Sequence, residues 1–338
     1  MKNKIIALSI ILVLVIFVSS IAFAEINQWT WMTSKGTFQL SERIAKKVAN
    51  GEKLIFRAST FSSAAPLYIP VKQGFKDAAE KLGIDMEMIG PTDGVVEKQV
   101  SELETLISAE MIDGLAIGTK EIGSTMPMFE KAWKAGIPVI AWDQDSPDAM
   151  RLTFVGPPEY KKLGVLGGEA FTEFHPEKTG KLALFAAFPE LPYARGNIQG
   201  FLDVLWANEY KMTTVGPFKL TIDKAVAYGV VENAFLANPD ITGAYVADEY
   251  CVVAAQYLER NNLQDKVVLI GKNDMQDILQ YIKKGTIKQT VGTEPYKQGL
   301  LITQVLFDFV TTGKTFPDRY DTELGSITIK NVDEYLIK

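Results

Sequence analysis

From Lys53 onward, short apolar runs alternate with segments of helical period, and the whole alternation occurs twice. No other feature constrains this chain as tightly. Residues 54–59, 84–89, 114–117 and 137–141 read as strands, and 71–82, 95–109 and 126–134 as helices between them. Apolar runs without in-and-out alternation suit strands covered on both faces. Alternating them with helices predicts a doubly wound parallel sheet. The second copy has strands at 181–187, 241–246 and 267–273, and Gly200-Phe201 opens a helix as Gly74-Phe75 does. Gly74 and Gly114 stand 40 residues apart, and Gly200 and Gly243 stand 43 apart, as two copies of one unit require. The fold class is therefore α/β, with two similar doubly wound parallel-sheet lobes.

Two such lobes leave a cleft between them, and clefts at domain interfaces are favoured small-molecule sites. Ligands of open α/β sheets bind at the carboxyl ends of the strands. The strand at 137–141 runs into Trp142-Asp143-Gln144-Asp145, so a ring and a carboxylate fall at such an end. The competing reading makes Asp143 a cap and Trp142 part of the core.

Lys2 and Lys4 precede an apolar run over 5–18 and then Ser19-Ser20-Ile21-Ala22-Phe23-Ala24. This is the pattern of a secretory signal peptide, residues 1–24, with cleavage expected before Glu25. The run is short of the roughly 20 residues a spanning helix needs. No membrane span is expected in the mature chain, and no cysteine follows the cleavage site to take a lipid. Cys251 is the only cysteine, so no intramolecular disulfide exists. With one histidine, His175, and one cysteine, multi-histidine metal sites and the usual catalytic triads are nearly excluded. The net charge of −6 carries no basic stripe, so nucleic acid is not an expected partner. Residues 25–52 form an N-terminal helical extension: an irregular lead with Trp29 and Trp31, then helical spacing over Phe38, Ile44 and Val48 with Ser41 as N-cap and Gly51 as stop.

Against this background several segments carry a resemblance. They are Ala65-Pro66-Leu67-Tyr68 before Gly74-Phe75, Gly136-Ile137-Pro138-Val139-Ile140 leading into Asp143, and Arg195 ahead of Gly200-Phe201. Asn238-Pro239-Asp240 before Asp248-Glu249, Ile270-Gly271 beside Lys272-Asn273, and Gly285 before Thr293-Glu294-Pro295 complete the set. In this order the chain resembles the periplasmic sugar-binding proteins of ABC importers, in the ribose-binding branch of the type I fold. The resemblance implies a hinge of three crossings, near 156–158, 293–295 and 322–325. Lobe one is then 53–156 with 294–322, and lobe two 157–293 with 323–338.

It also implies that Asp143, Arg195, Asp248 and Asn273 take the family's polar ligand positions. Leu67 and Tyr68 fall where the family often has two aromatics, and Ile222 and Lys272 where it often has phenylalanine. Trp142, Ser62, Thr119 and Thr293 are further ligand candidates, with Thr60, Ser63 and Glu294 on adjoining loops. Carboxylates and guanidinium forks match hydroxyl pairs, and rings pack on a sugar's C–H face, so such a set suits a neutral polyol. Several of these residues keep alternatives at this stage, Trp142 as core and Lys272 as a solvated strand end among them. Asp248 also suits a helix cap, and an Asp143–Arg195 pair also suits an interlobe salt bridge. His175 reads as a surface histidine and Cys251 as buried and inert. Gly164-x-x-Gly167-Gly168 lies inside a helical pattern, not after a strand, which argues against a dinucleotide fingerprint.

The expected function is an exported, monomeric, non-enzymatic solute-binding protein of the periplasm. It passes a monosaccharide or polyol to an ABC-transporter permease and needs no cofactor or metal. Two other classes stay open. One is a receptor for a sugar or an autoinducer-2-like signal that presents its closed form to a signalling partner. The other is a secreted carbohydrate-active enzyme using Asp143 and Asp248 as a carboxylate pair. Ribose, xylose, rhamnose, fructose and inositol all remain candidate ligands.

Overall fold

A computed structural model describes residues 29–322 and 325–336. The expected leader and its cleavage site lie outside the described residues, as do positions 323–324 of the third expected crossing. The chain opens with an antiparallel hairpin, β1 (Thr30–Thr33) and β2 (Gly36–Gln39). The sequence pattern predicts an irregular lead here, with Phe38 in the helical spacing. Phe38 instead sits on β2, fully buried, stacked on Trp31 and edge-on to Trp133. Helix α1 (Glu42–Ala49) follows, capped where Ser41 accepts a hydrogen bond from the Ile44 amide. Arg43 and Lys47 of α1 reach the buried carboxylate of Asp113, which also accepts from the Ile55 amide at 2.9 Å. The extension is thus bolted to the first lobe.

The first lobe contains β3 (Ile55–Ser59), β4 (Asp85–Ile89), β5 (Gly114–Ile117), β6 (Val139–Trp142), β7 (Phe154–Gly156) and a late strand, β13 (Arg319–Asp321). The second contains β8 (Thr179–Ala186), β9 (Lys211–Lys219), β10 (Ile241–Val246), β11 (Val268–Lys272), β12 (Ile287–Gly292) and β14 (Gly325–Thr328). Their orders are β13-β7-β6-β5-β3-β4 and β14-β12-β11-β10-β8-β9. Strand for strand these are one pattern, which is what the sequence repeat predicts. Both sheets are parallel except for β14, which runs antiparallel to β12 at the edge.

Helices α2 (Tyr68–Leu82), α3 (Val96–Ser108), α4 (Ile122–Lys134) and α10 (Pro295–Thr312) cover the first sheet. Helices α5 (Tyr160–Phe174), α6 (Pro192–Ala207), α7 (Lys224–Ala237), α8 (Cys251–Arg260) and α9 (Gln276–Lys283) cover the second. Helix α2 starts at Tyr68, three residues before the sequence reading placed it. Pro70 falls in its first turn, where the missing N–H has no intrahelical partner to lose. The glycines of α5 have a packing reason. A Cβ on Gly164 would lie 1.9 Å from the Asn197 carbonyl oxygen of α6, so the two helices cross backbone to backbone. Gly74 of α2 meets the Tyr296 carbonyl of α10 in the same way, at 2.2 Å.

His175 is not at the surface. It is 4 % exposed, stacked on Phe171 at 4.9 Å, and its Nε2 shares a hydrogen bond with Thr242 Oγ1 at 3.0 Å. Cys251 is buried as expected, and burial pushes its thiol far above the ordinary range. No helix among the described residues is long and apolar enough to cross a membrane.

Candidate functional site

The carboxyl ends of both sheets meet at one narrow cleft. Phe61 and Ser62 follow β3, Asp143 and Gln144 follow β6, and Leu67 and Tyr68 sit at the start of α2. Across from them Ala187 and Phe188 follow β8, Ile222 follows β9, Glu249 and Tyr250 follow β10, and Lys272 ends β11. Tyr193 comes from the first turn of α6, and Pro157 and Tyr160 come from the passage between the sheets. The cavity they enclose is small, about 60 Å³.

Asp143 is held in the cleft by two tyrosines. Its backbone takes the left-handed conformation, φ 59°, which aspartate tolerates better than most residues. Tyr68 donates its phenol proton to Asp143 Oδ2 at 2.9 Å, and Tyr160 donates to the Asp143 carbonyl at 3.1 Å. Burial raises the carboxyl's pKa; the Tyr68 hydrogen bond and the Lys272 charge act in the opposite sense. Glu249 lies opposite. Burial, then the neighbouring Asp248 charge, holds its carboxyl above the usual carboxylate range. Its hydrogen-bond partner is the Asn273 amide, at a long 3.5 Å. Lys272 lies 5.1 Å from the centre of the Tyr193 ring. Ser62 is 2 % exposed, yet its hydroxyl has no hydrogen-bond partner.

Of the residues singled out in the sequence, Asp143, Tyr68, Leu67, Ile222, Lys272 and Ser62 come together in the cleft lining. The others sit elsewhere, each for a visible reason. Arg195 is exposed on α6 and does not line the cleft. Tyr193 does, and a residue two positions further on is turned some 200° about the helix axis. Trp142 is fully buried in the core, packed on Phe75 and Tyr68, with its indole N–H donated to the Ser59 carbonyl at 2.9 Å. Asp248 acts as a loop clamp, one oxygen accepting from the Tyr250 amide at 3.0 Å and the other from the Ala187 amide. Asn273 and Thr293 bond to each other behind Glu249, at 2.9 Å. Thr119 is buried against Ser146. On the adjoining loops, Ser63 donates to the Gly90 carbonyl, Thr60 is buried, and Glu294 opens α10.

Glu249, Tyr193, Tyr160, Phe61, Phe188 and Gln144 were not marked as ligand positions in the sequence. For Glu249 a signal existed: a second acid directly after Asp248, at a strand end. The remaining five depend on where each loop turns, which no local pattern specifies.

Comparison with known proteins places this architecture. Residues 59–315 match the periplasmic binding protein domain family. A solute binding protein of an ABC transporter from Burkholderia graminis, solved with D-arabinose, is similar at 24 % identity and TM-score 0.76, over 84 % of this chain and 99 % of that one. One from Agrobacterium vitis, solved with D-fucose, matches at 24 % identity and TM-score 0.76, over 83 % and 97 % of the two chains. GanP, a glucose-galactose binding protein from Geobacillus stearothermophilus, matches at 24 % identity and TM-score 0.73, over 83 % and 99 %. With its two like-ordered sheets and the cleft between their carboxyl ends, this chain belongs to the periplasmic binding protein family.

Proposed function

We propose that this chain is an exported solute-binding protein that captures a monosaccharide or polyol in the interlobe cleft and hands it to an ABC-transporter permease. One observation carries the reading. The buried Ser62 hydroxyl lacks a partner beside the Asp143 carboxylate and the Tyr68 ring, at the carboxyl ends of the strands. A buried polar group without a partner costs about 1–3 kcal/mol, which a ligand hydroxyl would relieve. The sugars named for the similar structures, D-arabinose and D-fucose, support the same ligand class. A narrow cleft between two lobes suits hinge motion that opens to admit a sugar and closes around it. The lobe boundaries at 156–158, 293–295 and 322–325 belong to this proposal.

A second reading, a receptor showing its closed form to a signalling partner, draws support from a similar fold solved as a XylFII-LytSN complex. The test of the first is a thermal-shift screen of the mature protein against a broad panel of sugars and polyols, followed by calorimetry. A ligand that binds only the folded state raises the melting temperature by mass action. A panel in which no member moves the midpoint would refute the sugar-binding reading.

A further inference from the structure

The cleft is short of positive charge. Asp143 and Glu249 line it, with Asp248 next to Glu249 outside the lining, and Lys272 is the only cation among its lining residues. No salt bridge among the described residues reaches any of these four side chains. The nearby arginines are committed elsewhere. Arg151 pairs with Asp145 at 3.0 Å and with Asp318 at 3.1 Å, and Arg319 pairs with Asp145 and Asp321. Lys120 and Lys219 approach the Phe188 ring without lining the cleft, and Lys219 pairs with Glu190. Arg195 is exposed on α6.

Asp248 has both oxygens met by backbone amides. Asp143 has only the Tyr68 hydroxyl, and Glu249 only the distant Asn273 amide. Two carboxylates thus face one ammonium group across a low-dielectric gap, with Tyr68, Tyr160, Tyr193, Phe61 and Phe188 around them. Aromatic faces attract cations as well as C–H groups. The unpartnered Ser62 hydroxyl adds a neutral hydrogen-bonding position beside the acids.

Building on the sugar-binding reading, we propose that the occupant of this cleft carries a protonated amine, as an amino sugar or another amine-bearing polyol does. The ammonium group lies between Glu249 and Asp143, and a hydroxyl of the same molecule satisfies Ser62. A neutral sugar leaves the excess carboxylate either ionised and unpaired or protonated, and both states are costly in a buried site. Burial raises the pKa of both acids, and a cation between them would oppose that shift.

The experiment uses matched pairs that differ in charge alone: D-glucose with D-glucosamine, D-galactose with D-galactosamine, and the N-acetylated forms as neutral controls of similar bulk. Neutral hits from the wider panel are paired with their amino counterparts. Calorimetry near pH 7.5 should show the amine binding at least about tenfold more tightly than its neutral parent. Glu249→Gln should collapse that ratio toward one. The preference should also shrink near pH 5, below the values of about 7 and about 6 to which burial raises the Glu249 and Asp248 carboxyls; Asp143, Lys272, Tyr193 and Tyr250 are the other titratable groups around the amine. Equal or tighter binding of a neutral parent overturns the amine proposal and leaves the sugar-binding reading standing. Silence from every member, charged and neutral, overturns both.

Discussion

Replacing Asp143 by alanine and by asparagine separates what this residue does for the fold from what it does for the ligand. In Asp143→Ala, the Tyr68 hydroxyl loses its 2.9 Å acceptor while its side chain stays 3 % exposed. A stranded buried donor costs about 1–3 kcal/mol. The backbone at φ 59° then carries a Cβ without the polar group that eases this conformation, about 1–2 kcal/mol more. The alanine variant should therefore lose about 2–5 kcal/mol of stability. Asp143→Asn keeps the left-handed backbone, because asparagine tolerates it, and keeps an oxygen for Tyr68. It also removes a carboxylate whose charge burial disfavours. Its stability should stay within about 1 kcal/mol of the wild type, or exceed it, near pH 7.5. Both variants should bind the best ligand of the screen about 10- to 150-fold more weakly, the loss of one hydrogen bond to a charged group. Urea unfolding of the ligand-free proteins gives the first quantity, and calorimetric titration the second. Equal stabilities of the two variants, or native affinity in the asparagine variant, would refute the reasoning.

Three further expectations rest on other parts of the molecule. Because the folded state holds the Glu249 carboxyl above its unfolded pKa, its protonation favours folding. That contribution is full below the unfolded value and lost as pH rises through the folded one, so ligand-free stability should fall from about pH 5 to pH 8, with a shallower fall in Glu249→Gln by unfolding titrations. Arg151 is fully buried between Asp145 and Asp318, so Arg151→Met should cost about 3–5 kcal/mol and weaken ligand binding through the Asp143 loop; stability within 1 kcal/mol of wild type would count against this role. Gly164→Ala should cost about 3 kcal/mol or more, because its Cβ would collide with the Asn197 carbonyl. Gly123→Ala, in an exposed helical position with open space around it, should gain about 0.5–1 kcal/mol, and a loss there would contradict the packing argument.

The sheets were legible because buried parallel strands leave a strong record: Leu115, Ala116, Val139 and Ile140 are wholly inside, and their runs are wholly apolar. The hairpin was not, since Thr30–Gln39 sets Trp31 and Phe38 among polar residues and its burial comes from packing on Phe309 of a distant helix. The site was legible to the level of the strand end and seldom to the residue. At the end of β6, Trp142 turns into the core and Asp143 into the cleft. After β10, Asp248 turns back to clamp amides and Glu249 faces the ligand space. On α6 the choice between Tyr193 and Arg195 depends on helix phase, fixed by the start at Pro192. In each case a one- or two-residue rotation decides the outcome, and it is set by tertiary hydrogen bonds that leave no periodic trace.

The late position of α10 and β13 has a consequence for how the molecule is assembled. The core beneath the first sheet includes Ile302, Leu306, Phe309 and Val310, and that sheet's edge is residues 319–321. Five of the six strands of the second sheet, in contrast, come from the unbroken stretch 179–292. As the chain emerges amino end first, the lobe whose sequence appears earlier waits almost to the end for its missing helix and strand. The later lobe has nearly all its strands in hand by then. Contacts that span some 250 residues form slowly because a long loop must close first. Both sheets receive their edge strands only from residues 319–328, but the first lobe also lacks a covering helix until then, and its unfilled helix groove is the surface that needs protection in the interval.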